Sequence, residues 1–281
     1  MAQTVSGRIT LPGRTTPKPA AGEQAAPGAR PLRINIATPC YGSQFSAAYV
    51  TSVVRLISKA PAGVEFAFTT IDYADVVVAR NWLISTFYYK HPDCDWLLFL
   101  DDDMGFEPQL IGDMIAQGKD VVGAVYAKRR VNLEKLHAAA DDPFEIAYAK
   151  ACEFIGAPVA GARPVKGFLP VTRIGTGILL ISRKAVTRMI ECLPEIVQPP
   201  TRSGIEIAAS LPNYLTPFDK VTVDGAELSE DFSFCHRWVQ GCGGEIVANV
   251  THRIRHVGEL TVNTAFGPVY RPRIQARVAP R

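Results

Sequence analysis

Three consecutive carboxylates, Asp101, Asp102 and Asp103, follow directly on the apolar run Leu97 to Leu100. Four apolar residues in a row fit a strand buried on both faces of a sheet. Its carboxyl end is where open α/β sheets bind ligands. Oxygen ligands of this kind suit Mg²⁺ or Mn²⁺, which commonly bind through one or two carboxylates plus substrate phosphates. The competing account is a solvated acidic turn that caps the following helix. A second acidic signal is Ser229-Glu230-Asp231. Ser229 reads as an N-cap, and the two carboxylates fall in the first helical turn, where the macrodipole favours their charge. That suits a general base as well as plain capping. His252 and His256 stand just past the last strand-like run, as ligands for metal or phosphate or as surface histidines. Arg80 and Asn81 sit near the start of a predicted helix whose N-terminus offers free N–H groups. Lys128-Arg129-Arg130 reads either as a phosphate-binding or acceptor-facing cluster or as a solvated charge run.

The elements that must position these residues are legible as repeated strand-to-helix units. RINIAT from Arg33 is β-type and runs into the turn-rich Pro39 to Ser43; Val50, Val53, Val54 and Ile57 then make one helical stripe that closes near Pro61. Val64 to Thr70 is the second strand. It is followed by a helix on which Val76, Ala79, Leu83 and Phe87 share a face. Trp96 to Leu100 is the third strand, after which Pro108 opens a helix with the stripe Leu110, Ile111, Met114 and Ile115. Val121 to Tyr126 is a fourth strand, and residues 131–170 hold an Ala-rich helical piece. Val171 to Ser182 reads as a strand interrupted by Gly175-Thr176-Gly177, a bulge or a place of close ligand approach. Residues 194–220, with five prolines, predict a long loop acting as a lid or binding loop. Phe232, Cys235, Trp238 and Val239 give the buried face of the next helix, and Glu245 to Val250 the last strand. Such a series predicts an α/β fold with a mostly parallel central sheet flanked by helices.

A chain of 281 residues is long enough to bury a sizeable core. Its 47% hydrophobic and 20% charged residues are ordinary for a globular protein, and a net charge of +3 does not by itself argue for a nucleic-acid partner. The six cysteines include no C-x-x-C pair and no zinc spacing, so reduced thiols are expected. No apolar run is long enough for a membrane span and no signal-peptide core is seen at the N-terminus, which predicts a cytoplasmic protein. The organisation expected is a flexible Ala/Pro-rich tail over 1–31, a single folded domain over 32–260, and a basic extension over 261–281 containing Arg271, Arg273, Arg277 and Arg281.

From about Arg33 to Gly258 the order of these motifs resembles the nucleotide-sugar glycosyltransferases of GT-A fold, family 2-like. The resemblance implies a nucleotide-binding, Rossmann-like single domain and a nucleoside-diphosphate sugar as donor. It implies that Thr38, Pro39, Cys40 and Tyr41 form the loop over the nucleotide and that Asp75 or Asp72 contacts the base. Arg80 and Asn81 would face the base or diphosphate. Asp101-Asp102-Asp103 is similar to the family's D-x-D, the first carboxylate toward the ribose and the last on Mn²⁺ or Mg²⁺, with Asp101 and Asp103 together holding the metal and Asp102 left to local hydrogen bonding. Gly175 to Arg183 would line the acceptor side. Glu230-Asp231 is similar to the family's E-D pair with Asp231 as base, and His256, in H-V-G, would complete the metal's coordination. The Pro-rich 194–220 segment departs from the pattern.

Glycosyl transfer with inversion needs an ionised base to take the acceptor hydroxyl's proton and a cation to neutralise the leaving diphosphate. A sugar-nucleotide pyrophosphorylase is the alternative, although no Gly-rich loop bearing Arg and Lys follows the first strand. An aspartate phosphohydrolase would leave Glu230, Asp231 and His256 without roles, and a non-catalytic sugar-nucleotide-binding module would bind without turnover. The acceptor stays open among a glycan, a lipid-linked sugar, a protein and a modified nucleic acid.

Overall fold

The computed structural model describes residues 3–9 and 30–258. In chain order these form β1 (Gln3–Ile9), β2 (Leu32–Cys40), α1 (Ala47–Ser58), β3 (Val64–Asp72), α2 (Val76–Lys90), β4 (Trp96–Leu100), β5 (Met104–Gly105), α3 (Gln109–Ala116), β6 (Val121–Ala124) and β7 (Tyr126–Val131). There follow α4 (Leu133–Ala138), α5 (Phe144–Ala151), β8 (Cys152–Ile155), β9 (Ala157–Pro158), β10 (Phe168–Arg173), β11 (Ile178–Ser182), α6 (Arg183–Cys192), β12 (Val197–Gln198) and β13 (Tyr214–Leu215). The last elements are β14 (Thr222–Val223), β15 (Ala226–Glu227), α7 (Glu230–His236), β16 (Ile246–Asn249) and β17 (Arg255–His256).

Among the described residues nine strands make one sheet, in the order β1-β3-β2-β4-β11-β6-β16-β10-β9. β2 is parallel to both β3 and β4, and β16 is parallel to β6; β11 opposes β4 and β6, while β10 opposes β16 and β9. Six strands (β2, β3, β4, β6, β9 and β16) therefore run one way against three (β1, β10 and β11), giving the α/β architecture with a mostly parallel sheet flanked by helices. The alternation of β4 accounts for its apolar run. Leu97 and Phe99 enter the core beneath α2 and α6, whereas Leu98 and Leu100 enter the core beneath α1 and α3. Helix starts are fixed locally. Ser46 Oγ accepts from Tyr49 N at 3.1 Å to begin α1, and Ser182 Oγ accepts from Ala185 N at 3.0 Å to begin α6.

Several expectations are corrected. Within the segment 1–31 taken as a flexible tail, Gln3–Ile9 is an edge strand antiparallel to β3, a pairing that local composition does not reveal. The 261–281 extension, with residues 259 and 260, lies outside the described residues. α1 buries Tyr49, Ser52, Val53 and Leu56, leaving Val50 and Val54 of the expected Val50–Val53–Val54–Ile57 stripe exposed; the helix turns toward Tyr49 and Ser52, which make buried hydrogen bonds. The run Val121 to Tyr126 divides at Val125 between β6 and β7. Val171 to Ser182 is likewise not one strand. β10 ends at Arg173 and pairs with β16, β11 begins at Ile178 between β4 and β6, and Gly175-Thr176-Gly177 forms the link. Residues 194–220 are packed, not a lid: Tyr214, Leu215 and Phe218 are buried against α2, where Leu215 N donates to Ser85 Oγ at 2.8 Å and the Tyr214 hydroxyl to Val78 O at 3.1 Å. α2 is accordingly buried on nearly every side from Ala79 to Phe87. No described helix is long and apolar enough to cross a membrane.

Candidate functional site

A cleft of 720 Å³ opens at the carboxyl ends of β2, β3 and β4. Its walls include Pro39, Cys40 and Tyr41 after β2, Tyr73 and Ala74 after β3, Asp101, Asp102 and Asp103 after β4, Arg80 from α2, Glu230 and Asp231 from α7, and His256 from β17. Residues separated by more than two hundred positions meet because their elements converge. β17 pairs with β5, matching His256 with Met104, and Val257 N donates to Asp103 O at 2.9 Å, which seats the histidine beside the acidic run.

Each aspartate has a different neighbour. The buried Arg80 guanidinium donates from Nη2 to Asp101 Oδ2 at 3.1 Å; Nη1 lies 3.0 Å from Oδ1 but out of line for a hydrogen bond, so the pair is one bond plus one close charge contact. Arg80 Nε also lies 3.7 Å from Glu230 Oε1. Burial alone would lower the guanidinium's pKa, but Asp101, its hydrogen bond and then Glu230 reverse the sign and raise it. Asp102 is tied to the loop after β2, with Ser46 N donating to its carbonyl at 2.9 Å. Burial, reinforced by the charges of Asp103 and Asp101, pushes its carboxyl up to about 6, against bonds from Tyr41 N–H and the Cys40 thiol. Asp103 Oδ2 accepts from Arg129 at 2.9 Å and faces His256 Nε2 at 3.4 Å. The imidazole's other nitrogen, Nδ1, lies 2.8 Å from Ala127 O, a bond that orients the ring with Nε2 toward Asp103. Desolvation opposes the charged imidazole, but the Asp103 and Ala127 bonds outweigh it and raise the His256 pKa.

Asp231 Oδ1 accepts from the Ser229 hydroxyl and from Phe232 N at 2.8 Å, and Oδ2 has no hydrogen bond among the described residues. Ser229 does stand at the N-cap of α7, but its hydroxyl serves Asp231 and caps no backbone N–H.

Other expected residues are used elsewhere. The Thr38 side chain is buried and bonded to the Tyr49 hydroxyl at 2.5 Å, so within the T-P-C-Y loop only Pro39, Cys40 and Tyr41 reach the cleft. Asp75 caps α2, accepting from Val77 N at 2.9 Å and Val78 N at 3.2 Å; Asp72 holds Gly42 N at 3.0 Å and Ser43 Oγ at 2.5 Å. Neither lines the cleft. Asn81 faces away, donating to Asp219 Oδ1 at 2.8 Å and accepting from Phe218 N at 3.0 Å. His252 pairs with Asp113 at 2.8 Å, away from the acidic run. Of the basic run, Arg129 alone enters the cleft.

Tyr126 is a cleft residue that sequence reading missed. Its hydroxyl accepts from Gly177 N at 3.0 Å, and burial raises its pKa, with the charge of Asp101 adding to the rise. This explains the glycines: a Cβ on Gly175 would lie 2.3 Å from that hydroxyl, and one on Gly177 2.7 Å. Gly177 O in turn accepts from Asp101 N at 3.0 Å. The G-x-G spacing beside an aromatic strand end was the available signal.

Among the described residues no three His, Cys, Asp or Glu side chains gather closely enough to hold a metal by themselves. Asp103 and His256 nevertheless fit as a pair of ligands. Asp103 Oδ1 is buried without a hydrogen-bond partner, as are Asp101 Oδ1 and Thr176 Oγ1. An oxygen–imidazole pair with unsatisfied buried acceptors nearby suits a hard divalent cation whose other ligands come from substrate and water.

No protein-family model matches the sequence, and no curated protein matches it. Among solved structures the chain is similar to A197 from STIV, at 15% identity and a TM-score of 0.43 over 81% of this chain and 87% of that one. It is similar to a glycosyltransferase involved in the glycosylation of the major capsid of PBCV-1, at 16% identity and a TM-score of 0.28, spanning 56% of this chain and 63% of that one. A third likeness is to a putative glucose-1-phosphate thymidylyltransferase from Bacillus anthracis, at 11% identity and a TM-score of 0.37 over 79% and 88% of the two chains. Likenesses at this level assign no activity to the chain.

Proposed function

We propose that the protein is a metal-dependent glycosyltransferase that moves a sugar from a nucleoside-diphosphate sugar to an acceptor hydroxyl with inversion. The observation that carries this reading is the convergence in one cleft of Asp101 to Asp103, Arg80, Asp231 and His256, beneath the Pro39 to Tyr41 loop. Tyr41, 73% exposed at the rim, and the Pro39–Cys40 backbone cover the nucleotide. Asp103 and His256 would hold Mg²⁺ or Mn²⁺, and the bound cation would supply the positive charge that neutralises a leaving diphosphate. Asp101, placed among the metal ligands by resemblance, instead faces Arg80 and acts through it: the pair fixes the floor of the cleft and keeps a guanidinium at hand. Asp231, whose Oδ1 is steadied by Ser229 and Phe232 N, offers Oδ2 to the acceptor hydroxyl's proton. Glu230 anchors the start of α7 to Arg80 and thereby sets the position of Asp231.

Calorimetric titration with UDP and GDP, with and without Mn²⁺, followed by donor-hydrolysis assays, tests the reading. Metal-dependent nucleotide binding with slow release of sugar is expected. Hydrolysis of simple phosphate esters in its place would contradict it.

A further inference from the structure

A second cavity, of 640 Å³, adjoins the cleft and shares Arg129, Ile155 and His256 with it. Among the described residues its remaining lining is Lys128, Arg130, Glu153 and Gly258. Three consecutive residues of a regular strand cannot face one cavity, because successive side chains point to opposite sides. Here the ladder between β7 and β8 is irregular. Ala127 pairs with Phe154 and Val131 with Cys152, so Lys128, Arg129 and Arg130 stand opposite the single residue Glu153. The bulge turns all three cations toward the same space, a device by which strands re-aim side chains beside active sites. Three cations then face one carboxylate. Lys128 is paired with Glu153 and Arg129 with Asp103, while Arg130 makes no ion pair among the described residues. The Lys128–Glu153 pair, exposed on both sides, is weak and gives way to a better anion.

We propose that this cavity binds a phosphoryl group carried by the second substrate, so that the acceptor is a phosphorylated molecule whose hydroxyl is presented to the cleft past Arg129. Calling the ligand an acceptor rests on the glycosyl-transfer reading; the anion site does not. A planar fork and a point charge, Arg130 with Lys128, suit the several oxygens of a phosphate better than a single carboxylate.

The test titrates inorganic phosphate into protein saturated with UDP and Mg²⁺, using the wild type and K128Q/R130Q, two exposed positions outside the nucleotide cleft. The expected result is phosphate binding to the loaded wild type that weakens about tenfold or more in the variant, as the loss of two charge-assisted contacts requires. UDP affinity and the unfolding midpoint should be unchanged. Displacement of phosphate by glucose 1-phosphate would identify a soluble ester, and displacement only by vesicles of phosphatidic acid in phosphatidylcholine a lipid-borne one; either supports a phosphoryl site. Equal phosphate affinity in the two proteins, or phosphate binding only when UDP is absent, would overturn it. If neither UDP nor GDP binds, the donor reading fails. The same comparison on nucleotide-free protein still decides the cavity, with loss in K128Q/R130Q supporting the site and retention overturning it.

Discussion

The guanidinium of Arg80 is bonded to the carboxylate of Asp101 at 3.1 Å and lies across the floor of the cleft, linking the end of β4 to the start of α7 through Glu230. It also sits over the Phe99 ring, 5.7 Å from its centroid. Removing one member of a buried pair strands the other's charge, so Arg80→Ala should cost about 3–5 kcal/mol of stability in urea unfolding. Combining it with Asp101→Asn should recover part of that loss, with a coupling of about 0.5–3 kcal/mol. Strict additivity of the two substitutions would mean that the pair does not act as a unit.

The two histidines after β16 should separate cleanly. His256→Ala should weaken Mn²⁺-dependent nucleotide binding at least by the ~10–100-fold that even the outer partners of metal ligands contribute. His252→Ala, which loses only the contact with Asp113, should leave nucleotide binding unchanged and lower stability by about 0.2–1 kcal/mol. Equal effects on nucleotide binding would remove the distinction that β17 creates.

Asp231→Asn keeps the shape of the first turn of α7 while removing the base. Turnover of a donor with its acceptor should fall roughly 10²–10⁴-fold while nucleotide affinity holds. Wild-type turnover in this variant would rule out Asp231 as the base.

Gly175→Ala places a methyl group 2.3 Å from the Tyr126 hydroxyl and 2.9 Å from Ile155. A loss of about 1–3 kcal/mol is expected in thermal or urea unfolding. Because the nearest clash is with the hydroxyl oxygen, Tyr126→Phe should cost less in the Gly175→Ala background than in the wild type. A cost at least as large would place the strain elsewhere.

Much of this arrangement could be read from sequence, for identifiable reasons. Leu97 to Leu100 followed by three aspartates marks a strand buried on both faces, because four apolar residues in a row leave neither face for solvent. The resemblance points to His256, in H-V-G, and the β5–β17 pairing seats that residue beside Asp103. What escaped depends on long-range partners. Asn81 looks like a ligand-facing residue until Phe218, more than a hundred positions later, claims its side chain. Asp75 is a local case, its side chain accepting from Val77 N and Val78 N as the N-cap of α2. The Pro-rich 194–220 segment has no periodicity to reveal that Tyr214, Leu215 and Phe218 cover α2. The split of β10 from β11 is a matter of sheet order, which alternation within one strand does not encode.

The most direct test of the central claim is calorimetric titration of UDP and GDP into wild type and Asp103→Ala, each with and without Mn²⁺. The account predicts that the wild type binds one of these nucleotides far more tightly with the metal than without it, and that Asp103→Ala loses the metal-dependent part while remaining folded. Nucleotide binding that is indifferent to Mn²⁺ in the wild type, or metal dependence that survives in Asp103→Ala, would contradict it.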